Sequence, residues 1–496
     1  MFEFRKSLFL IAFLASTTFS PAQKIKLSAP LEDDFSMGYT KVIGYTDNGY
    51  FVQTGNLSYD VTIEKTGFRS PKYKIGFFNN DLSKVWDKPI EPYSAESELI
   101  DLKCFNDRIS SISAQWDEKN NISTLYASSY DSTGKTISNT EVGKSTRMES
   151  KPFSYGSAVS LRGTHWAFYM LSKSDEEKIQ ISIFILDKEL KLITYKTDYI
   201  NQPFKSFDVS QMVVSENGDI AILGKRTDKS KALSSKRAYS WFVYAIKSGR
   251  LMEIALARGL EVSMMGLSAD EFKGHAVAAG FFEEKDSYVG AGIITFRLNL
   301  TEPDDTTLIR QSTTIDADQN MRLKGARNFG EGGGLSTYPI RKMIPKGDGG
   351  LVLVAESAYT TEYSYFDSFS QSYTRRLEYN FGDVVLFSLN ADGSIQWSSS
   401  MQKNQTSMDD GGLFSSYCMM TESQRLVFFF SEPINRKSRV LMGRISYLGV
   451  TDKTIPVSVP EGTLLLPEGC RQVGEQDMIL PAVIKRKLHL LQITFD

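Results

Sequence analysis

Aromatic, serine and arginine side chains crowd into residues 359–380, the segment of this chain best suited to binding chemistry. Its seven aromatic residues are Tyr359, Tyr363, Tyr365, Phe366, Phe369, Tyr373 and Tyr379. Rigid amphipathic rings beside small hydrogen-bonding side chains are typical of adaptable binding surfaces. We therefore predict a ligand-binding set of Tyr363, Tyr365, Phe366, Phe369, Tyr373, Arg375 and Arg376. The alternative is an extended hairpin whose aromatic side chains pack against a neighbouring part of the fold.

A second segment, residues 301–336, mixes acidic, basic and glycine residues. Its cations Lys324 and Arg327 complete the predicted ligand-binding set. Its glycines are not followed by Lys-Ser or Lys-Thr, so they do not indicate a phosphate-binding loop. Asp316 and Asp318 begin the spacing of a calcium loop, but the glycine and the final glutamate of that loop are missing. We interpret the segment as a crossover or lid and predict no metal.

Signatures of catalysis are mostly missing from the sequence. It contains no Gly-x-Ser-x-Gly and no His-Glu-x-x-His motif, and its three histidines are His165, His275 and His489. Carboxylates that could form an acid/base pair for glycoside cleavage are Asp33, Asp34, Glu331, Asp367, Asp409 and Asp410. We predict no catalytic residues and no cofactor, with a glycan-active hydrolase as the alternative.

The elements that must position these residues recur along the chain. A short strand, a tight polar turn and a very apolar strand repeat roughly every 55 residues. The turns are Asn48-Gly49, Asn106-Asp107, Arg162-Gly163, Asn217-Gly218, Lys273-Gly274, Asp348-Gly349, Gln424-Arg425 and Glu475-Gln476. A repeat of this length made only of strands predicts an all-β fold, the β-propeller.

Each repeat is predicted to be a blade of four antiparallel strands. Seven complete units occupy residues 40–92, 93–145, 146–200, 201–258, 259–315, 337–405 and 406–461. The remaining residues have room for only three strands, at 464–472, 477–485 and 488–495. The alternating residues 24–31 supply the simplest fourth strand. We predict eight blades, with the N-terminal strand completing the last blade and closing the ring; seven blades is the alternative.

All the long connections are predicted to lie on one face of the propeller. The turns between the first and second strands, and between the third and fourth, are short. The long segments join second to third strands or cross between blades, and they comprise residues 55–73, 225–240, 301–336, 359–380 and 403–413. Loops on a rigid scaffold commonly carry function, so this loop-rich face is the predicted binding face.

The N-terminal residues resemble a secretory signal peptide. Arg5 and Lys6 precede an apolar run at 8–15, and small residues precede position 23. We predict a signal peptide at 1–22, a single propeller domain at 23–496 and a secreted or periplasmic location. The net charge of −2 implies no bulk attraction to nucleic acid, and no other apolar run approaches the length of a membrane span.

Three cysteines, Cys104, Cys418 and Cys470, are too few and too scattered for a disulfide framework. Cys418 and Cys470 fall in the first strands of adjacent units, so a bond between them remains open. Buried, inert thiols are the favoured interpretation.

Two hairpins resemble the repeat of PQQ-like propellers. They are residues 242–251, and the strand 384–389 followed by Asn390-Ala391-Asp392-Gly393-Ser394-Ile395-Gln396-Trp397; residues 79–86 are a third match. The resemblance implies eight blades. That family includes quinoprotein dehydrogenases and non-catalytic scaffolds of bacterial outer-membrane assembly. The dehydrogenases typically use adjacent cysteines, which this sequence lacks, so the resemblance does not imply their activity.

Together these features predict an exported, non-enzymatic β-propeller. It is expected to bind a protein or an extracellular polymer such as a glycan through the loop-rich face of blades five to seven. The alternatives are a secreted glycan-active hydrolase that uses carboxylates on that face, and a passive envelope scaffold. We further expect a monomer with no nucleic-acid partner and no membrane insertion.

Overall fold

A computed structural model describes most of the chain. The described residues are 23–31, 38–56, 73–90, 93–94, 96–105, 108–175, 178–227, 239–254, 260–270, 274–284, 290–300, 309–314, 338–367 and 371–495. The predicted signal peptide and nearly all of residues 301–336 lie outside these ranges. Within them the chain forms β-strands and one short 3-10 helix, Pro467–Gly469.

The strands form eight antiparallel sheets in chain order. Sheet one contains β2 (Gly38–Thr46), β3 (Gly49–Asn56), β4 (Tyr73–Asn79) and β5 (Lys84–Pro89). Sheet two contains β6 (Ser97–Phe105), β7 (Arg108–Asp117), β8 (Ile122–Tyr130) and β9 (Thr136–Lys144). Sheet three contains β10 (Pro152–Val159), β11 (His165–Lys173), β12 (Ile179–Asp187) and β13 (Leu192–Ile200). Sheet four contains β14 (Phe207–Val214), β15 (Ile220–Thr227), β16 (Tyr239–Ala245) and β17 (Arg250–Glu253).

The second half of the chain repeats the pattern with one elaboration. Sheet five contains β18 (Leu260–Asp270), β19 (His275–Glu284), β20 (Gly290–Asn299) and β21 (Ile309–Thr314). Sheet six contains β22 (Ile340–Pro345), β23 (Leu351–Asp367), β24 (Ser372–Leu389) and β25 (Ile395–Met401), and the short β26 (Gln405–Met408) pairs with β24. Sheet seven contains β27 (Cys418–Glu422), β28 (Arg425–Glu432), β29 (Arg439–Ser446) and β30 (Ile455–Pro456). Sheet eight contains β31 (Leu464–Leu465), β32 (Arg471–Gln472), β33 (Asp477–Ile484), β34 (Lys487–Phe495) and β1 (Gln23–Leu27).

This architecture is the predicted eight-bladed β-propeller. The core lies between successive sheets, where apolar side chains of neighbouring blades pack together. Central strands such as β12 are buried along nearly their whole length, whereas the fourth strand β13 is largely exposed. Strands covered on both faces need continuous apolar runs, and this requirement explains the runs that follow each polar turn.

The N-terminal strand completes sheet eight, as predicted. β1 pairs antiparallel with β34, and Ile25 lies opposite Ile493. Sheet eight also packs against sheet one in a shared cluster that contains Val42, Ile479 and Leu490. The predicted strand 464–472 is interrupted in the structure, because the 3-10 helix that begins at Pro467 separates β31 from β32. Proline has no N–H to donate to a strand ladder.

The turn chemistry also agrees with the prediction. Gly218 and Gly349 follow Asn217 and Asp348 and have φ angles of 79° and 84°. This left-handed region is strained for residues with a side chain, so glycine suits these tight turns.

Cys418 and Cys470 form a disulfide, with their Cα atoms 5.8 Å apart. The favoured expectation of inert thiols at these positions is therefore wrong. Cys418 opens β27 in sheet seven and Cys470 lies just before β32 in sheet eight, and these two strands contact each other. Cys104 takes no part in this disulfide.

Candidate functional site

The hairpin of β23 and β24 extends beyond the four-stranded part of sheet six. β22 pairs with β23 only as far as Ala355, and β25 pairs with β24 only from Val384 onward. The two long strands nevertheless remain paired from Ala358 opposite Phe381 to Asp367 opposite Ser372. Only β26 joins this extension, next to residues 378–381. The predicted binding segment is thus a projecting hairpin, which we call the sheet-six hairpin (residues 358–381).

The aromatic side chains of the sheet-six hairpin stay in solvent. The exposed fraction is 44% for Tyr365, 55% for Phe366 and 78% for Tyr373. Tyr359 and Tyr363 are exposed to a similar degree. The segment is therefore an extended hairpin, as the alternative interpretation held, but these five rings are not buried against a neighbouring blade. Exposed rings on a projecting element are available to a partner.

The pairing register divides the predicted residues between two faces of the hairpin. Residues that pair directly project to the same face, and successive residues alternate. Tyr363 lies opposite Arg376, and Tyr365 is two residues further along the same face. Phe366 lies opposite Tyr373 on the other face, which also carries Arg375. The predicted residues thus form two surfaces, the Tyr363 face and the Phe366 face.

Polar contacts order the Tyr363 face. The Tyr363 hydroxyl donates to Glu378 Oε1 at 3.3 Å, and Asn380 Nδ2 donates to the same oxygen at 3.0 Å. The Glu378 carboxylate raises the pKa of Tyr363, so the phenol remains a neutral donor at physiological pH. The Arg376 guanidinium lies 5.9 Å from the centre of the Tyr365 ring, a cation–π distance.

The Phe366 face combines an aromatic pair with an ion pair. The Phe366 and Tyr373 rings meet edge to face, with centroids 5.4 Å apart. Arg375 Nε lies 2.7 Å from Glu362 Oε1 on the same face. Edge-to-face packing is a favoured aromatic geometry, so the two rings stiffen each other while their outer surfaces remain accessible.

A buried ion pair anchors the base of the hairpin. Glu356, just before the extension, accepts contacts from Lys403 Nζ at 2.8 Å, Arg341 Nε at 3.0 Å and Ser416 Oγ at 2.7 Å. Lys403 Nζ also donates to Gln405 Oε1 at 2.8 Å. Burial lowers the pKa of Lys403, and the adjacent Glu356 carboxylate opposes this effect. The contacts join β22, β23 and the segment after β25, so they fix the root of the hairpin.

Asp409 and Asp410 act as structural ties at the side of the hairpin. Leu377 N donates to Asp409 Oδ1 at 2.9 Å, and Asp409 N donates to Leu377 O at 2.9 Å. Asp410 accepts hydrogen bonds from Ser407 Oγ at 2.7 Å and Gly412 N at 2.9 Å. Both carboxylates considered for glycoside cleavage therefore have local partners in this region.

Several predicted residues lie outside the described part of the chain. They are Phe369, Lys324 and Arg327 of the ligand-binding set, and Asp33, Asp34 and Glu331 of the carboxylates. For Asp367 only the backbone position in β23 is described.

The sequence analysis missed Glu356 and Lys403. Glu356 is the one charged residue in the otherwise uncharged stretch from Leu351 to Thr361. A charge inside a strand that reads as buried is a signal for a paired ion, because burying an unpaired carboxylate is very costly. The partner could not be read in the same way, since Lys403 lies in a polar segment.

Two searches of the described residues were negative. No group of three or more histidine, cysteine, aspartate or glutamate side chains comes together there in a way that could hold a metal ion. Nor does that part of the chain contain a helix long and apolar enough to span a membrane.

Comparison with known proteins identifies no family for this chain. No protein-family model matches it, and no curated protein matches it either. The resemblance to PQQ-like propellers therefore stays a prediction.

Among solved structures, the chain is similar to three proteins at low sequence identity. The match to Sqt1 from Chaetomium thermophilum has 11% identity, a TM-score of 0.39 and covers 92% of this chain and 100% of that one. The β-propeller domain of the trilobed protease from Pyrococcus furiosus matches with 9% identity, a TM-score of 0.32 and coverage of 84% and 99%. The acylaminoacyl peptidase of Pyrococcus horikoshii matches with 9% identity, a TM-score of 0.36 and coverage of 90% and 58%. Likeness at this level carries no functional argument.

Proposed function

We propose that this protein is an exported, non-enzymatic binding protein that engages a protein or an extracellular polymer through the sheet-six hairpin. The observation that carries the proposal is the exposure of aromatic rings on both faces of a hairpin that projects from a rigid blade. Solvent-exposed aromatic side chains cost free energy to keep in water, so a cluster of them on a projecting element favours a contact role.

The anchoring contacts support a binding role because they limit the entropy lost on association. The root is held by Glu356, Lys403 and Arg341, and the side is held by Asp409 and β26. A hairpin that is already ordered loses less conformational freedom when it binds than a flexible loop does. Tyrosine and phenylalanine add large contact areas with few rotatable bonds.

The alternative of a glycan-active hydrolase receives less support. It requires an acid and a base flanking the scissile bond. Asp409 and Asp410 are engaged in backbone and side-chain hydrogen bonds, and Asp409 also lies 3.8 Å from Arg376 Nε. The hydrolase would have to rely on carboxylates that lie beyond the described ranges. The passive scaffold remains the second alternative, and the experiment below separates it from a binding protein.

Export is part of the proposal. It is supported by the signal-like pattern of residues 1–22 and by the Cys418–Cys470 disulfide. Disulfides persist mainly in oxidising compartments such as the periplasm and the extracellular space.

The proposal is tested by retention of a partner or glycan on immobilised protein. Residues 361–376 would be replaced by a short Gly-Ser turn, which keeps Leu377 and the pairing with β26. The matched control is Tyr199→Ser, which removes an exposed tyrosine from β13 in sheet three. We expect the shortened hairpin to lose a protein from envelope extract, or a glycan from an array, that the control retains. Equal retention by both forms, with unchanged thermal melting, would reject the hairpin as the binding element.

A further inference from the structure

A basic groove lies on the loop-rich face of sheet seven, away from the sheet-six hairpin. It is bounded by the connection between β28 and β29 and by the crossing that follows β30. Its volume is about 420 Å³, within the range of sites that hold small ligands or a few side chains. Lys437, Arg439 and Glu461 line it, and its floor is formed by Val440, Pro456, Val457 and Val459.

The groove is rich in cations that lack an intramolecular counter-charge. Neither Lys437 nor Arg439 forms an ion pair with another described residue, and the same holds for the neighbouring Arg436. Glu432 is opposite Arg439 in the strand ladder, but its carboxylate accepts a hydrogen bond from Asn404 N at 3.2 Å. The arginines of the sheet-six hairpin, by contrast, are paired with Glu362 and Asp409. The groove therefore has cationic groups available to an external anion.

The loop that carries these cations is held by hydrogen bonds. Lys437 N donates to Asn435 Oδ1 at 2.8 Å, and Ser438 N donates to Asn435 O at 3.0 Å. Across the groove, Gly462 N donates to Ser438 O at 2.8 Å. Gly462 has a φ of 80°, and a Cβ there would lie 2.8 Å from Arg436 O, so only glycine fits this close approach. The cations thus project from a fixed backbone.

We propose that this groove binds an acidic peptide segment of a partner protein. An aliphatic side chain of the segment would occupy the floor, and its carboxylates would pair with Arg439 and Lys437. Arginine presents a planar fork of donors that matches a carboxylate, and lysine adds a point charge. The aliphatic floor favours a peptide over a polysaccharide, because the lining contains no aromatic ring on which a sugar could stack. This site is additional to the sheet-six hairpin and uses charge, where the hairpin uses aromatic contact.

The test is fluorescence anisotropy with a rhodamine-labelled octapeptide of alternating leucine and glutamate. The test variant is Lys437→Met/Arg439→Met, which removes two charges and keeps side-chain length. The matched control is Arg108→Met/Lys119→Met, which removes two exposed cations from sheet two. We expect the full chain to bind the octapeptide and the test variant to bind it at least about tenfold more weakly. The control should bind like the unmodified protein, and added salt should weaken binding.

Further arms distinguish this site from the hairpin and from a glycan site. Tyr363→Ser/Tyr365→Ser, on the hairpin, should leave octapeptide binding unchanged, and an octapeptide of leucine and glutamine should not bind. Polygalacturonate should not displace the acidic octapeptide. The proposal is overturned if the unmodified protein does not bind the octapeptide, if test and control variants lose binding equally, or if only the polysaccharide binds.

Discussion

Lys403 Nζ lies 2.8 Å from Glu356 Oε1, and both side chains are fully buried, with an exposed fraction of 0%. The pair joins the segment after β25 to the root of the sheet-six hairpin. A buried ion pair gains Coulomb energy only at the expense of lost hydration, so its main effect is to make each partner indispensable to the other. Specificity of the hairpin position is therefore the role we assign to it.

The first prediction concerns the stability of this anchor. Lys403→Met should lower the free energy of unfolding by about 3–5 kcal/mol, because it leaves the Glu356 carboxylate buried and without its ammonium partner. The double variant Glu356→Leu/Lys403→Met should recover much of the loss, since neither charge is then buried alone. The measurement is the midpoint of urea-induced unfolding. A single variant as stable as the unmodified protein would contradict the assigned role.

The second prediction separates the two faces of the sheet-six hairpin. Tyr363→Ser/Tyr365→Ser alters one face, and Phe366→Ser/Tyr373→Ser alters the other. One of the two variants should weaken partner binding by about 2 kcal/mol or more, as truncation of an aromatic hot spot does. The other should bind nearly normally, because a single partner surface cannot contact both faces of a thin hairpin equally.

Both hairpin variants should also keep the stability of the unmodified protein to within about 0.5 kcal/mol, since the altered side chains are exposed. Binding is measured by surface plasmon resonance with the partner recovered in the retention experiment. Equal losses from both faces would show that the hairpin is gripped from two sides, and no loss from either face would remove it as a contact.

The third prediction is a pH dependence that originates at Tyr417. Its hydroxyl is buried and has no hydrogen-bond partner within the described structure. Burial raises the pKa of Tyr417 well above its ordinary value, the Glu356 carboxylate adds to the rise, and Arg341 opposes it. Because the folded-state pKa is raised, this contribution to stability is complete below the unfolded pKa of about 10. It is lost as the pH rises above that value, where the unfolded state gives up the proton first.

Tyr417→Phe should therefore flatten the decline of stability above about pH 10. At neutral pH it should change the free energy of unfolding by less than about 1 kcal/mol, because the removed hydroxyl makes no hydrogen bond. The measurement is the urea midpoint as a function of pH. Tyr447→Phe, at an exposed turn of sheet seven, is the matched control and should leave the curve unchanged. Identical alkaline curves for Tyr417→Phe and the unmodified protein would contradict the prediction.

The fourth prediction concerns the disulfide between sheets seven and eight. Cys418 and Cys470 are 52 positions apart in the sequence. A cross-link of this span restricts the unfolded chain, so Cys418→Ser/Cys470→Ser should lower the free energy of unfolding by about 2–4 kcal/mol. Dithiothreitol should lower the midpoint of the unmodified protein to that of the double variant. Cys104→Ser should behave like the unmodified protein with and without the reductant, and a midpoint insensitive to dithiothreitol would count against a stabilising disulfide.

Most of the architecture could be predicted from the sequence because the signals that define a blade are local. Each polar turn before an apolar run, such as Asn217-Gly218 before β15, is defined by a few consecutive residues. The pairing of β1 with β34 was also predictable, since counting strands left one place to fill. The binding segment was located for a similar reason, because its aromatic composition and its length are both visible in sequence.

The amino-acid sequence by itself thus determined the repeat, the number of blades, the terminal pairing and the position of the aromatic segment. Only the tertiary structure decided how that segment is used. The bulge between Glu356 and Ala358 sets which residues share a face, and a shift of one residue would exchange the two faces. The same holds for the Glu356–Lys403 pair, the Cys418–Cys470 disulfide and the basic groove. Each depends on residues that are far apart in the chain and that meet only when blades pack, which no local pattern encodes.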